Sequence, residues 1–255
     1  MSEGKILEVK NYKTVFTPEL VTDLFSKVRG HSSLANLAKK EPLPFNGKEM
    51  MIFTMDDEVN IVGESGKKTR GSADISTKTM VPIKIEYGIR ISDEFMYATE
   101  EKKIDILKAF NEGFAKKVAR GLDIMAMHGI NPRTKEASNL IGDNHFDHGS
   151  LTVTTTAGEE DKDINKAIAL FDESDDFEVS GFAIAKAFRT SLSELEYKNG
   201  AAKFPELGWG SNTSALRGLA VDVNSTVAFN DSKDLAIVGD FANYFKYGIA
   251  KEILM

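Results

Sequence analysis

Between Glu100 and His128 no proline interrupts the chain, and Leu107, Phe110, Phe114, Val118, Leu122 and Met125 recur at spacings of three and four. Such spacing forms one apolar stripe along a helix. Lys102, Lys103, Lys108, Lys116, Lys117 and Arg120 lie mainly off it. At 1.5 Å per residue, the helix predicted over Glu100–His128 is roughly 40 Å long, longer than the usual helix of a compact domain. Gly129 and then Pro132 are its stop signals. A rod this long needs apolar surface of matching length to cover its stripe.

A second feature precedes it. Ile83, Ile85, Tyr87, Ile89 and Ile91 alternate with Lys84, Glu86, Gly88 and Arg90. A strict period of two predicts a strand. Residues 50–62 are also strand-like, and residues 63–76 between them are rich in Gly, Ser, Lys and Asp. Two strands joined by a polar, glycine-bearing tip predict a long hairpin. The tip has little of its own to bury against the entropy of ordering, so it is expected to order against a neighbouring molecule.

The flanks are less regular. Residues 1–33 are polar, with a short amphipathic helix predicted from Thr17-Pro18-Glu19 through Leu20, Leu24, Phe25 and Val28 to Gly30. Ser92 and Asp93 open another short helix through Phe95 and Met96. Beyond Gly149 a mixed α/β region is expected. Residues 151–156 are strand-like. Ile164, Ala167, Ile168 and Phe171 mark a helix capped by Asp161 or Asp163. Strands are expected at 182–185, at Val221 and Val223, and at 235–238. Phe188, Leu192 and Leu195 mark a helix closing near Asn199-Gly200. Residues 203–217 read as loop, and 247–255 as a last strand or helix. No internal repeat is visible.

Composition narrows the function. The 255 residues contain no cysteine, which removes disulfides and thiolate metal sites. A net charge of −7 argues against a free-standing duplex-DNA binder, which needs a basic face. It leaves open a container that encloses DNA without gripping it. No run approaches the roughly 20 apolar residues of a membrane span, and residues 1–5 lack a signal-peptide core. The chain is expected to stay in the cytosol where it is made.

The motifs for chemistry are weak. Gly63-Glu64-Ser65-Gly66-Lys67-Lys68-Thr69 has the wrong spacing for a phosphate loop and precedes no helix. Asp143-Asn144-His145-Phe146-Asp147-His148 is the densest ligand-like cluster. Its donors are spaced to hold a divalent ion, and a plain polar loop is the commoner alternative. The acidic run Asp172-Glu173-Ser174-Asp175-Asp176 lacks the glycine and spacing of a calcium loop. His31 and His128 are isolated, and no hydrolase elbow or zinc-protease motif is present. No catalytic, cofactor or metal residue is therefore expected, and no cofactor.

The order of these parts resembles the major capsid proteins with the HK97-like fold, from about residue 34 to the end. Val62-Gly63-Glu64 looks like the start of that family's extended loop. Residues 81–92, running into Asp93-Glu94-Phe95-Met96, resemble its return strand and following helix. Glu100–His128 with Gly129 is similar to its spine helix, and residues 182–200 to an axial helix ending in Asn199-Gly200. Leu216-Arg217-Gly218-Leu219-Ala220-Val221 resembles a Leu-x-Gly-x-Pro-Val turn, with Ala220 in place of proline. Val238-Gly239-Asp240-Phe241 is similar to a late Gly-Asp-Phe strand.

The resemblance implies an α+β fold. Its expected parts are an N-terminal arm (1–33), a peripheral first segment (34–52), an extended loop (53–80), a peripheral domain with its spine helix (81–150), an axial domain (151–246) and a return toward the peripheral domain (247–255). Relatives continue past the Gly-Asp-Phe strand, so the C-terminal part of the peripheral domain is expected to be missing. No scaffolding domain is read, so scaffolding is expected from a separate protein or an already cleaved segment. The implied function is a structural, non-enzymatic head subunit of a tailed phage or prophage. Hexamers and pentamers would form an icosahedral shell around DNA, with scaffold, portal and maturation protease as partners and the virion as destination. A loop lysine such as Lys67, Lys68 or Lys78 is read as a surface residue and not as a cross-linking one. The alternatives are an encapsulin-like compartment shell and a metal-dependent α/β enzyme using the His145/His148 loop.

Overall fold

The computed structural model describes residues 31–55, 60–67, 70–87, 99–172, 177–208, 210, 213–230 and 232–250. The helices expected at 17–29 and 92–96 lie outside these residues. The chain is of mixed α+β class and divides into two compact units. One comprises the described residues of Met1–Lys40 and Ile85–Tyr247; the other comprises those of Glu41–Lys84 and Gly248–Leu254. The segments on either side of residue 150 fall in the same unit. Met127, from the last turns of the long helix, belongs to the same core as the strands that follow.

In the larger unit, helix α1 (Ser33–Leu37) is capped by Ser32, whose Oγ accepts from the Ala35 N–H at 3.1 Å. Helix α2 spans Glu100–His128, as its periodicity predicts. Gly129 closes it in the left-handed conformation, at φ +65°, where a side chain is costly. A Cβ there would also lie 2.4 Å from the His145 ring. The most deeply buried seam of α2 is offset from the expected stripe. Asn111, Ala115, Ala119, Asp123 and Met127, four apart, are buried, whereas Phe110, Phe114, Val118, Leu122 and Met125 are only half-buried. Tyr87 lies 6.4 Å from Phe110 and 6.1 Å from Phe114, between ring centroids.

Helix α3 (Glu160–Ala169) is followed by β4 (Gly181–Ile184), α4 (Lys186–Ser193), a short 3₁₀ turn at Pro205–Leu207, β5 (Ala215–Leu216), β6 (Leu219–Val223) and β7 (Ala236–Gly239). The strands form one sheet in the order β5-β6-β4-β7. Strand β4 runs parallel to β6 and antiparallel to β7. All four residues of β4 are buried, as befits a central strand covered on both faces. Phe182, Ile184, Phe188, Leu192, Val221 and Phe241 make the middle of the core. Each side chain of this size contributes roughly 1.5–3 kcal/mol when fully buried.

Residues 151–156 form no strand, contrary to expectation. Leu151 is exposed, and the Thr156 N–H donates to Asp163 Oδ2 at 2.6 Å. These β-branched residues lead into α3 instead of a ladder. Asp163 thus serves the start of α3 from within its first turns, while Glu159 occupies the cap position without a side-chain bond.

The smaller unit is built on a hairpin. Strand β2 (Lys48–Met55) pairs antiparallel with β3 (Ala73–Met80), from Lys48 opposite Met80 to Met55 opposite Ala73. The return strand is therefore β3, and the strand expected at 83–91 is corrected. Residues 81–87 are not in a strand, and 88–91 lie outside the described residues. Pro82 supplies the reason: it has no N–H to offer a ladder, and pairing stops just before it. Strand β1 (Lys39–Pro42) pairs with β8 (Lys246–Ile249).

Candidate assembly surface and buried polar anchors

Antiparallel pairing places directly opposed residues on one face of the ribbon. Phe53 faces Ile75 and Met51 faces Thr77; on the other face Ile52 opposes Ser76 and Met50 opposes Lys78. Both faces thus carry apolar side chains. Met51 is 79% exposed, Phe53 57% and Ile75 62%. Nine of the eighteen exposed large apolar residues among those described fall between Glu41 and Lys84, so the exposure is concentrated here. A lone two-stranded hairpin is marginally stable in water, and contiguous exposed apolar surface marks an interaction site. Gly63 and Gly66 close a turn through the Gly66 N–H and Gly63 carbonyl at 2.8 Å. Lys67 is exposed beside it; Lys68 and Thr69 lie outside the described residues.

In the larger unit Asp123 is fully buried. Its Oδ1 accepts from Ser32 Oγ at 2.5 Å and the Leu34 N–H at 3.1 Å. Its Oδ2 accepts from the Ser33 N–H at 2.9 Å, Asn224 Nδ2 at 3.1 Å and Thr226 Oγ1 at 3.1 Å. Burial pushes its pKa up, and the donors pull against that without overcoming it. Nearby, Ser33 Oγ and Asn36 Nδ2 both donate to Asp222 on β6. The start of α1, the C-terminal third of α2 and the loop after β6 are thereby pinned together. Sequence reading assigned Asp123 no role, because it lies off the predicted apolar stripe and nothing local marks it as buried.

His128 proves not to be isolated. It ends α2 with its side chain 2% exposed. Its Nδ1 lies 2.8 Å from Asp147 Oδ2 and 3.7 Å from Asp234 Oδ2, and its Nε2 lies 2.9 Å from the Thr226 carbonyl. Burial alone would lower its pKa. The Asp147 hydrogen bond, the Thr226 carbonyl and the charges of Asp147 and Asp234 outweigh it, and the pKa is raised. Thr226 serves both anchors, its hydroxyl on Asp123 and its carbonyl on His128.

The loop expected to gather metal ligands does so differently. His145 packs edge-on to His148, 6.0 Å between centroids, and its Nδ1 is buried without a hydrogen-bond partner. His148 meets Asp143 at 3.6 Å in an exposed pair, a geometry worth little. Phe146 meets Phe241 edge-on and Phe245 at a tilt, and holds the loop to the core. Of this loop only Asp147 joins a set of convergent donors, with His128 and Asp234. His31 is exposed, and its carbonyl accepts from Asn224 at 3.4 Å. Asp172 is described, while Glu173, Ser174, Asp175 and Asp176 are not. Among the described residues no helix is long and apolar enough to cross a membrane.

A four-stranded mixed sheet, a 29-residue helix and an apolar two-stranded ribbon define an α+β chain with a large uncovered surface. No family model and no curated protein matches it. Solved phage structures do. A chain of Mycobacterium phage Ogopogo is 27% identical, with a TM-score of 0.68 over 83% of this chain and 74% of that one. A chain of Gordonia phage Cozz is 21% identical, with a TM-score of 0.60 over 83% of this chain and 69% of its own. A chain of Mycobacterium phage Bobi, 14% identical, reaches 0.62 over 96% and 80%. The latter two show a shared fold alone. This chain has the fold of phage proteins.

Proposed function

We propose that this chain is the major capsid subunit of a phage head, a structural protein and not an enzyme. Copies assemble into hexamers and pentamers of an icosahedral shell that encloses DNA. The β2–β3 ribbon carries the reading: apolar side chains on both of its faces are exposed in a single chain, and a neighbouring copy supplies their cover. The resemblance of the sequence motifs to HK97-like capsid proteins and the phage origin of the similar structures support it, and favour a head over a compartment shell. Assembly interfaces of this kind bury well over ~1,000 Å², an area that the exposed apolar side chains of this ribbon help to supply. Scaffold, portal and maturation protease are the expected partners, and the virion is the site of action.

The test is a ribbon variant that keeps each chain folded. Phe53→Asp with Ile75→Asp is expected to give particle-free, sedimenting monomers with the wild-type far-UV spectrum, where the wild type co-expressed with a scaffold gives shells in negative stain. Shells from the double variant would remove the ribbon from the assembly surface.

A further inference from the structure

We propose that His128, Asp147 and Asp234 form a binding site for one divalent transition-metal cation of the zinc class, with His128 Nδ1 and one oxygen of each carboxylate as ligands. The inference is independent of the head reading and departs from the sequence expectation of no metal.

Three observations carry it. First, the three donor atoms come from separate parts of the fold: the end of α2, the loop after it and the segment before β7. They nevertheless lie within 4.8 Å of one another. Bonds of about 2.1 Å to one ion put neighbouring ligands about 3.0–3.4 Å apart for octahedral to tetrahedral angles. The 2.8 Å and 3.7 Å separations from Nδ1 bracket that range. Second, the Thr226 carbonyl, 2.9 Å from Nε2, requires a proton on that nitrogen and turns Nδ1 toward the carboxylates. A histidine ligand commonly has its other ring nitrogen held this way. Third, a proton on Nδ1 is within hydrogen-bond distance of Asp147 only, since Asp234 stands at 3.7 Å. A cation between the three neutralises both carboxylates.

The buried imidazole is the rigid ligand. The carboxylates, 37% and 42% exposed, can close on the ion and leave its remaining positions to water. Ser232 Oγ donates to Asp234 and steadies it. One nitrogen with two oxygens suits zinc, manganese or cobalt, while calcium prefers six to eight oxygens.

The test uses the whole chain stripped with EDTA and titrated at neutral pH with Zn²⁺ against a chromophoric chelator. Co²⁺ absorption serves as the coordination readout. The expected result is one Zn²⁺ per chain with a Kd below about 10 μM. Asp147→Asn and Asp234→Asn should each weaken binding at least about tenfold, while His145→Ala and His148→Ala leave it unchanged. The proposal is overturned if the folded wild type shows no saturable binding by about 100 μM. It is equally overturned if both Asn variants bind normally, or if His148→Ala alone abolishes binding.

Discussion

Asp123 is a carboxyl group with no exposure to bulk solvent, and five protein donors replace the solvent it loses. A buried group of this kind is costly to disturb, because every donor around it is left without an acceptor. Asp123→Asn keeps the size but turns one oxygen into an amide donor. Whichever way the amide sits, at least two of the five donors face an N–H. Equilibrium denaturation is expected to show a loss of about 3 kcal/mol. A change under about 0.5 kcal/mol would mean that Asp123 does not pin α1 to α2. Hydropathy reading passes over such a residue because it scores an isolated charge in a helix as solvated. Here neighbours distant in sequence, at positions 32–34 and 224–226, supply the solvation.

At the scale of elements, some boundaries were legible and others were not. Helix α2 was readable because its stops are local: Gly129 in the left-handed conformation, with Pro132 beyond it. Its buried seam was not, because Asn111, Ala115, Ala119 and Asp123 are small or polar, while Phe110, Phe114, Val118, Leu122 and Met125 flank it half-buried. The return strand was misplaced for a related reason. The isoleucine alternation at 83–91 is the stronger pattern, but ladder pairing is settled by partners and by Pro82. The modest sequence of Ala73–Met80 supplies the strand opposite Lys48–Met55. The convergence of His128 with Asp234 spans more than a hundred residues and leaves no local pattern.

Packing between elements also carries a pH signature. Asp161 of α3 accepts from Lys203 Nζ, beyond α4, at 2.7 Å, with both side chains largely buried. The Lys203 hydrogen bond holds the Asp161 carboxyl below its usual range. A lowered carboxylate pKa contributes stability that is present above the unfolded value, about 3.8, and is lost as pH falls through the lowered one. Lys203→Met is therefore expected to cost about 1 kcal/mol at pH 7 and to lose that deficit in acid. Urea denaturation at stepped pH checks this; a deficit that persists undiminished below about pH 3 would assign the effect to packing and not to the ion pair.

For the whole molecule, the contrast lies between a larger unit with its own core and a smaller unit whose ribbon shows apolar side chains on both faces. The same contrast separates a self-sufficient globule from a building block, and it supports reading this phage-fold chain as part of a shell. On that reading, Met51 and Phe53 change surroundings more than any core residue when particles form. Hydroxyl-radical footprinting of Met51 and Phe53, comparing assembled particles with dissociated chain, measures that change. The account predicts strong protection of both in particles, with Leu192 equally unlabelled in the two states. Equal labelling of Met51 and Phe53 before and after assembly would contradict it.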